Sequence, residues 1–273
     1  MSYIIAATDF TDTSLNAVTY AANMAVATGY PLVLINAFSL PVMVGDVPLP
    51  ATLIEDTRVD MDKQMTGLVQ SLAAAYNGLN VSGEVRYGTV IDVIERYTEE
   101  NRPPFITIMG NTNTRENSVW ILSTLSDASG NMKQPVLAVP PEAKFKTGPV
   151  MCLAIDLNMN NIAGPLRQIA DVATALRAQL HVVNVGNNDA DGNRLLSDSI
   201  ELALLPARPA YHFIPGEEVE ENIQNFCEQN HVKLLAVIHG SHSFFESLVH
   251  RSHTKHMAKT MNIPLLVVQE TAN

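Results

Sequence analysis

Short runs that are apolar on both faces alternate along this chain with longer segments whose apolar residues recur at helical spacing, and the whole alternation runs through twice. A strand apolar on both faces must be covered on both faces, and a helix between two such strands carries the chain back to the start of a parallel neighbour. The first pass predicts strands over Tyr3–Ala7, Pro31–Ala37, Leu79–Val85, Pro104–Met109 and Pro135–Val139. It predicts helices over Thr11–Thr28, Thr52–Asn77, Val90–Glu99 and Val119–Ala128, with Phe38–Pro50 as a proline-bearing loop. Thr11, Asp12 and Thr13 place side-chain oxygens where the first helix needs acceptors for its free N–H groups. Right-handed crossovers then restrict the topology to a doubly wound α/β sheet.

The second pass predicts strands over Val150–Ile155, Gln179–Val185, Ala210–Ile214, Leu234–Ile238 and Pro264–Val268. Its helices are Ile162–Ala178, Arg194–Leu205, Val219–Asn230 and Phe245–Thr260, with Gly186–Asn193 a polar loop. Asp9 recurs as Asp156, 147 positions on; Gly88 recurs as Gly216 after 128, Gly110 as Gly240 after 130, and Pro135 as Pro264 after 129. An ordered series of markers on matching elements indicates an internal duplication. The smaller later offsets mean that the second copy is shorter before Gly216, mostly in the stretch matching 38–77. The expected layout is a first domain over 1–141, a linker over 142–148 and a shorter second domain over 149–273.

Acidic residues number 28 against 17 basic ones, a formal charge of −11. That balance argues against a broad nucleic-acid or anionic-membrane surface, so neither is expected as a partner. Hydrophobic residues at 47% and charged residues at 16% are a globular composition. The first residues lack the basic segment and length of a signal peptide, and no run reaches the ~18 apolar residues of a membrane span, so a cytoplasmic protein is expected. Cys152 and Cys227 have apolar neighbours and no CxxC partner, and are expected to be buried, inert thiols.

The order and spacing of these elements resemble the universal stress protein family over almost the whole chain. In the first copy the resemblance lies in Ile4-Ile5-Ala6-Ala7-Thr8-Asp9, Gly88-Thr89-Val90, Ile106-Thr107-Ile108-Met109-Gly110 and Pro135-Val136-Leu137-Ala138-Val139. In the second it lies in Leu153-Ala154-Ile155-Asp156, His239-Gly240 and Pro264-Leu265-Leu266-Val267-Val268. The resemblance implies two tandem copies, each a five-stranded parallel sheet with flanking helices. It also implies a last strand in each that is free for edge pairing, so the two closing strands are expected to pair with each other. The family's habit of association implies a homodimer; its protein partners are not specified by the sequence.

ATP-binding members of the family carry, after the fourth strand, Gly, two residues, Gly, nine residues, then Gly and Ser or Thr. Glycines let backbone N–H groups approach phosphate, and the following helix N-terminus adds positive potential. The first copy keeps Asp9 and Gly110, has Asn113 at the second glycine and offers Ser123 and Thr124 at the end of the motif. The second keeps Asp156 and Gly240, has Ser243 at the second glycine and offers Ser252 when counted back from Pro264. One glycine of three survives in each copy, so no cofactor is expected and any binding of ATP or AMP is expected to be weak. The competing structural roles are a turn glycine for Gly110 and Gly240, and a cap or loop hydrogen bond for Asp9 and Asp156.

Five histidines fall between His239 and His256. Their spacing drifts around a helix and lacks the glutamate of a His-Glu-x-x-His pair, so no metal site is expected. No catalytic residue and no nucleophile elbow is visible. The leading expectation is a non-enzymatic stress-response protein that binds small molecules or protein partners. The alternatives are an ATP- or AMP-binding member with slow or no hydrolysis, and an enzyme of the wider adenine-nucleotide α-hydrolase-like group.

Overall fold

The computed structural model describes residues 2–39, 51–111, 134–156, 162–186, 198–216, 218–239 and 262–270. The chain forms two compact units, Met1–Gly110 and Asn111–Asn273. In each, strands that are apolar on both faces lie in a mostly parallel sheet with helices against it.

Unit 1 contains β1 (Ile4–Ala7), α1 (Asp12–Thr28), β2 (Leu32–Phe38), α2 (Ala51–Ala75), β3 (Val81–Tyr87), α3 (Val90–Glu100) and β4 (Ile106–Gly110). The order is β3-β2-β1-β4, and every pairing is parallel, with Ile4 level with Leu32 on one side and Ile106 on the other. All four residues of β1 are buried, as a central strand covered on both faces requires. α1 packs on β1 and β4 through Ala17, Ala21, Ala22 and Ala25, whose small side chains let the helix lie close to the sheet. Thr11 caps its start, and Gly29 ends it in a left-handed conformation (φ 71°) that places its N–H on Ala25 O. The helix expected over Thr52–Asn77 is α2, and β3 runs two residues later than expected at each end. Leu79 is held back in the helix-ending turn, its N–H on Tyr76 O. Gly88 (φ 139°) then stops the strand.

Unit 2 contains β5 (Val136–Val139), β6 (Val150–Ala154), α4 (Ala163–Ala175), β7 (Gln179–Val185) and α5 (Asp198–Leu204). It continues with β8 (Ala210–Ile214), α6 (Val219–Gln229), β9 (Leu234–His239) and β10 (Leu265–Gln269). The order β10-β9-β6-β7-β8 is the expected five-stranded parallel sheet. β5 adds to it antiparallel along β10, with Leu137 level with Leu266 and Val136 with Val267, so the two closing strands do pair. The helix expected over Arg194–Leu205 is described from Asp198 and passes into a single 3-10 turn over Leu205–Ala207. Pro206 has no N–H to continue the α ladder, and Arg208 (φ 49°) reverses the chain toward β8.

The predicted helices Val119–Ala128 and Phe245–Thr260 lie outside the described residues, as do most of the Phe38–Pro50 and Gly186–Asn193 loops. Among the described residues no helix is long and apolar enough to cross a membrane.

The duplication is repeated in hydrogen bonds. Thr8 N–H donates to Ile35 O at 2.9 Å in unit 1, and Ile155 N–H donates to Val183 O at 3.0 Å in unit 2. The next residue on each second strand is a buried asparagine, whose amide returns to the same turn: Asn36 Nδ2 to Thr8 O at 2.8 Å, and Asn184 Nδ2 to Ile155 O at 3.0 Å. Gly88 and Gly216 share a large positive φ, 139° and 145°.

Candidate functional site

In a doubly wound sheet the loops at the carboxyl ends of the strands form the crevice where ligands bind. In unit 1 the turn from β1 into α1 occupies that edge. Thr8 is buried, Asp9 is exposed, and Phe10 is held in the left-handed region (φ 63°), a conformation that costs a non-glycine residue about 1–2 kcal/mol. A closed set of short polar side chains holds this turn. Thr8 and Ser14 hydroxyls share a hydrogen bond of 3.1 Å, and Ser14 Oγ donates to Thr11 O at 3.0 Å. Asp9 N–H donates to Ser14 Oγ at 3.3 Å and Phe10 N–H to Thr8 Oγ1 at 3.1 Å. Thr11 donates twice to Asp9 Oδ1, from its N–H at 3.1 Å and its hydroxyl at 2.6 Å. Ser14 N–H donates to Thr11 Oγ1 at 3.4 Å.

This arrangement decides what the turn can offer. The N–H groups of Asp9, Phe10, Thr11 and Ser14 are engaged by side-chain oxygens and so are not offered to a phosphate at this turn. Burial pushes the Asp9 carboxyl up, but the hydrogen bonds from Thr11 and Ser14 outweigh it and hold the group below the usual carboxylate range. Asp9 is therefore ionised at neutral pH and sits at the positive end of α1, where an anion would otherwise be stabilised. It fills the loop-bonding role that was one of its two expected roles.

Gly110 ends β4 on the same edge. It is not among the residues with positive φ, so no turn conformation demands glycine here. A Cβ would instead lie 3.0 Å from Thr13 O and 3.1 Å from Ser14 Cα, so the strand end and the first turn of α1 touch backbone to backbone. Asn36, 3% exposed, is the residue that sequence reasoning passed over. Its amide nitrogen is on Thr8 O, and its Oδ1 has no hydrogen-bond partner among the described residues. The signal was present as a single amide inside the otherwise apolar run Leu32–Phe38, matched by Asn184 in Gln179–Val185.

In unit 2 Asp156 follows Ile155 at the end of β6, half-buried. The N-cap of α4, Ile162, makes no side-chain cap bond, so the hydroxyl set of unit 1 has no counterpart at that residue. Asn113, Ser123, Thr124, Gly240, Ser243 and Ser252 lie outside the described residues. Of the histidine series, His239 ends β9 level with Gln269 of β10, and its carbonyl accepts from Glu270 N–H at 2.8 Å; the other four lie outside the described residues. No three histidine, cysteine or acidic side chains among the described residues converge as metal ligands. Cys152 and Cys227 are buried and unbridged. A hydrogen bond with Cys227 and burial push the Cys152 thiol well above its usual range, which keeps it protonated and a poor nucleophile.

No curated protein matches the sequence. Among solved structures, a universal stress protein from Archaeoglobus fulgidus DSM 4304 superposes with a TM-score of 0.69 at 16% identity, covering 98% of this chain and 98% of that one. A functionally unknown protein from Pseudomonas aeruginosa PAO1 superposes with a TM-score of 0.51 at 14% identity, covering 99% of this chain and 93% of that one. At these identities the likeness is one of fold. Residues 1–140, more than half of the 273, match the model of the universal stress protein family. Strand order, the Asp9 turn and the family match agree, and the chain belongs to the universal stress protein family.

Proposed function

We propose that this protein acts without catalysis, as a universal-stress-type binding protein whose ligand seat in unit 1 is the edge carrying Asp9, Asn36 and Gly110. One observation carries the reading: four N–H donors of the β1–α1 turn, those of Asp9, Phe10, Thr11 and Ser14, are bonded internally, while Asn36 Oδ1 beside them is an acceptor with no partner among the described residues. A molecule bound here would present N–H or O–H groups to Asp9 and Asn36 rather than a phosphate to the helix start. The same bonding works against chemistry, because a carboxylate held by Thr11 and Ser14 and kept ionised is a weak base.

The test uses purified full-length protein. Its denatured extract would be analysed by mass spectrometry, and phosphate release from added ATP would be followed in parallel. The reading expects a retained small molecule rich in amine, amide or hydroxyl donors and no phosphate release above buffer. Steady ATP turnover that Asp9→Ala abolishes would overturn it.

A further inference from the structure

On the sheet face opposite Asn184, unit 2 carries a pair of imidazoles. His181 stands third in β7, level with Cys152 of β6, and His212 stands third in β8, level with Val183 of β7. His181 is 8% exposed. Its Nδ1 is 2.8 Å from Nε2 of His212, and the two rings lie 5.0 Å apart at 20°. Phe226 of α6 leans on both, with centroids 4.8 Å from His212 and 5.7 Å from His181. The bridge therefore lies beneath α6, between that helix and the two outer strands.

Two facing ring nitrogens at this separation hold one proton between them. A neutral pair satisfies this, and so does a pair carrying one extra proton, which goes to an outward nitrogen. A second extra proton leaves an N–H on each facing nitrogen, and the hydrogen bond becomes a repulsion between two cations in parallel rings. The other titratable groups around the pair do not offset this. A hydrogen bond with Cys227 and burial keep Cys152 a neutral thiol, and the acids of α6 are Glu220, Glu221 and Glu228, of which Glu228 accepts from Gln224 at 3.2 Å.

Unit 1 solves the same place differently. By register Glu84 of β3 stands where His212 stands, since Ile35 pairs with Glu84 as Val183 pairs with His212. There Arg86 bridges Glu84 at 2.7 Å and Glu100 of α3 at 2.8 Å, and its guanidinium lies 5.0 Å from the centre of the Tyr97 ring. The place is filled by an ion-pair network with no imidazole in it, and the imidazole is the side chain whose ordinary value falls between about pH 5 and 8.

We propose that the His181–His212 bridge is a proton-operated latch on α6, closed at neutral pH and released by mild acid, and that unit 1 lacks this response. Burial, and then the neighbouring His212, hold His181 below the ordinary histidine value. A histidine depressed in the folded state binds fewer protons there than in the unfolded chain. The latch therefore weakens as pH falls through about 6.5 and is fully weakened only below the depressed value.

Hydrogen–deuterium exchange on the full-length protein at about pH 7.5 and about pH 5, corrected for intrinsic exchange, tests this. Protection over 219–229 should fall roughly tenfold while that over 90–100 holds, and His212→Gln should remove the difference. In the unaltered protein the ring-proton signals of His181 should titrate below the ordinary histidine value. Equal loss in both helices would overturn the proposal. So would a pH response that survives His212→Gln, or a His181 ring that titrates at or above the ordinary value of about 6.5.

Discussion

A methyl group is enough to test the contact at Gly110. Alanine there would put its Cβ against the backbone of Thr13 and Ser14, which cannot rotate away as a side-chain tip can. The first turn of α1 would have to move by a few tenths of an ångström and would strain the Asp9–Thr11–Ser14 bonds. Gly110→Ala should destabilise unit 1 by about 1–3 kcal/mol, as overpacked sites do. Gly67, exposed within α2 with open space around it, is the control: Gly67→Ala should stabilise by about 0.5–1 kcal/mol. Urea midpoints of the two variants moving in opposite directions would confirm the contact, and a neutral Gly110→Ala would refute it. At this scale the sequence marked Asp9 and Gly110 correctly as residues at the strand edge but left their roles open. Whether a glycine is needed for φ or for close approach depends on a neighbour about 100 positions away. Asn36 was missed because one amide among apolar residues does not reveal whether its partner is a carbonyl in the turn after the neighbouring strand.

Elements were more legible than residues, and the reason is burial. β1, β2, β4 and β6 are apolar on both faces, so their positions follow from composition with little reference to periodicity. The half-buried β3 was displaced by two residues because its burial is intermediate along its length and its ends are fixed by Tyr76 and Gly88 rather than by its own pattern. The closing strands were expected to pair because a short apolar edge left open invites aggregation, and β5 and β10 do meet antiparallel. Leu137 and Leu266, both fully buried, are the centre of that pairing. Leu137→Ala should cost about 2–5 kcal/mol, the range for a leucine lost from a core that cannot collapse around the gap. The variant should also expose apolar edge, so dye binding at mild urea should rise with the loss of stability; a variant as stable as the parent would mean that β5 contributes little to unit 2.

For the whole molecule, charge and loop chemistry act together on one question, the affinity for ATP. The chain carries a formal −11, and the described helix start in unit 1 is already occupied by an ionised Asp9. The two loops that would cradle phosphate have each lost two glycines, with Asn113 and Ser243 at the second position. A side chain forced into left-handed geometry costs about 1–2 kcal/mol, so two such positions cost roughly 2–4 kcal/mol. That is a factor of about 30 to 1,000 in dissociation constant, enough to take a micromolar site to near millimolar. Arg115 and Arg251 lie on these segments and act in the other direction, each able to return one charge-assisted bond. Two such bonds, at the roughly 0–1 kcal/mol of a surface ion pair, recover less than the loops lose. Titration calorimetry of the full-length protein should therefore give a dissociation constant for ATP well above about 10 μM, the equivalent of roughly −7 kcal/mol. A tighter value would mean that asparagine and serine serve these loops as well as glycine does. Adenosine binding more tightly than ATP would instead place the recognition at the acceptors Asp9 and Asn36, away from the phosphates.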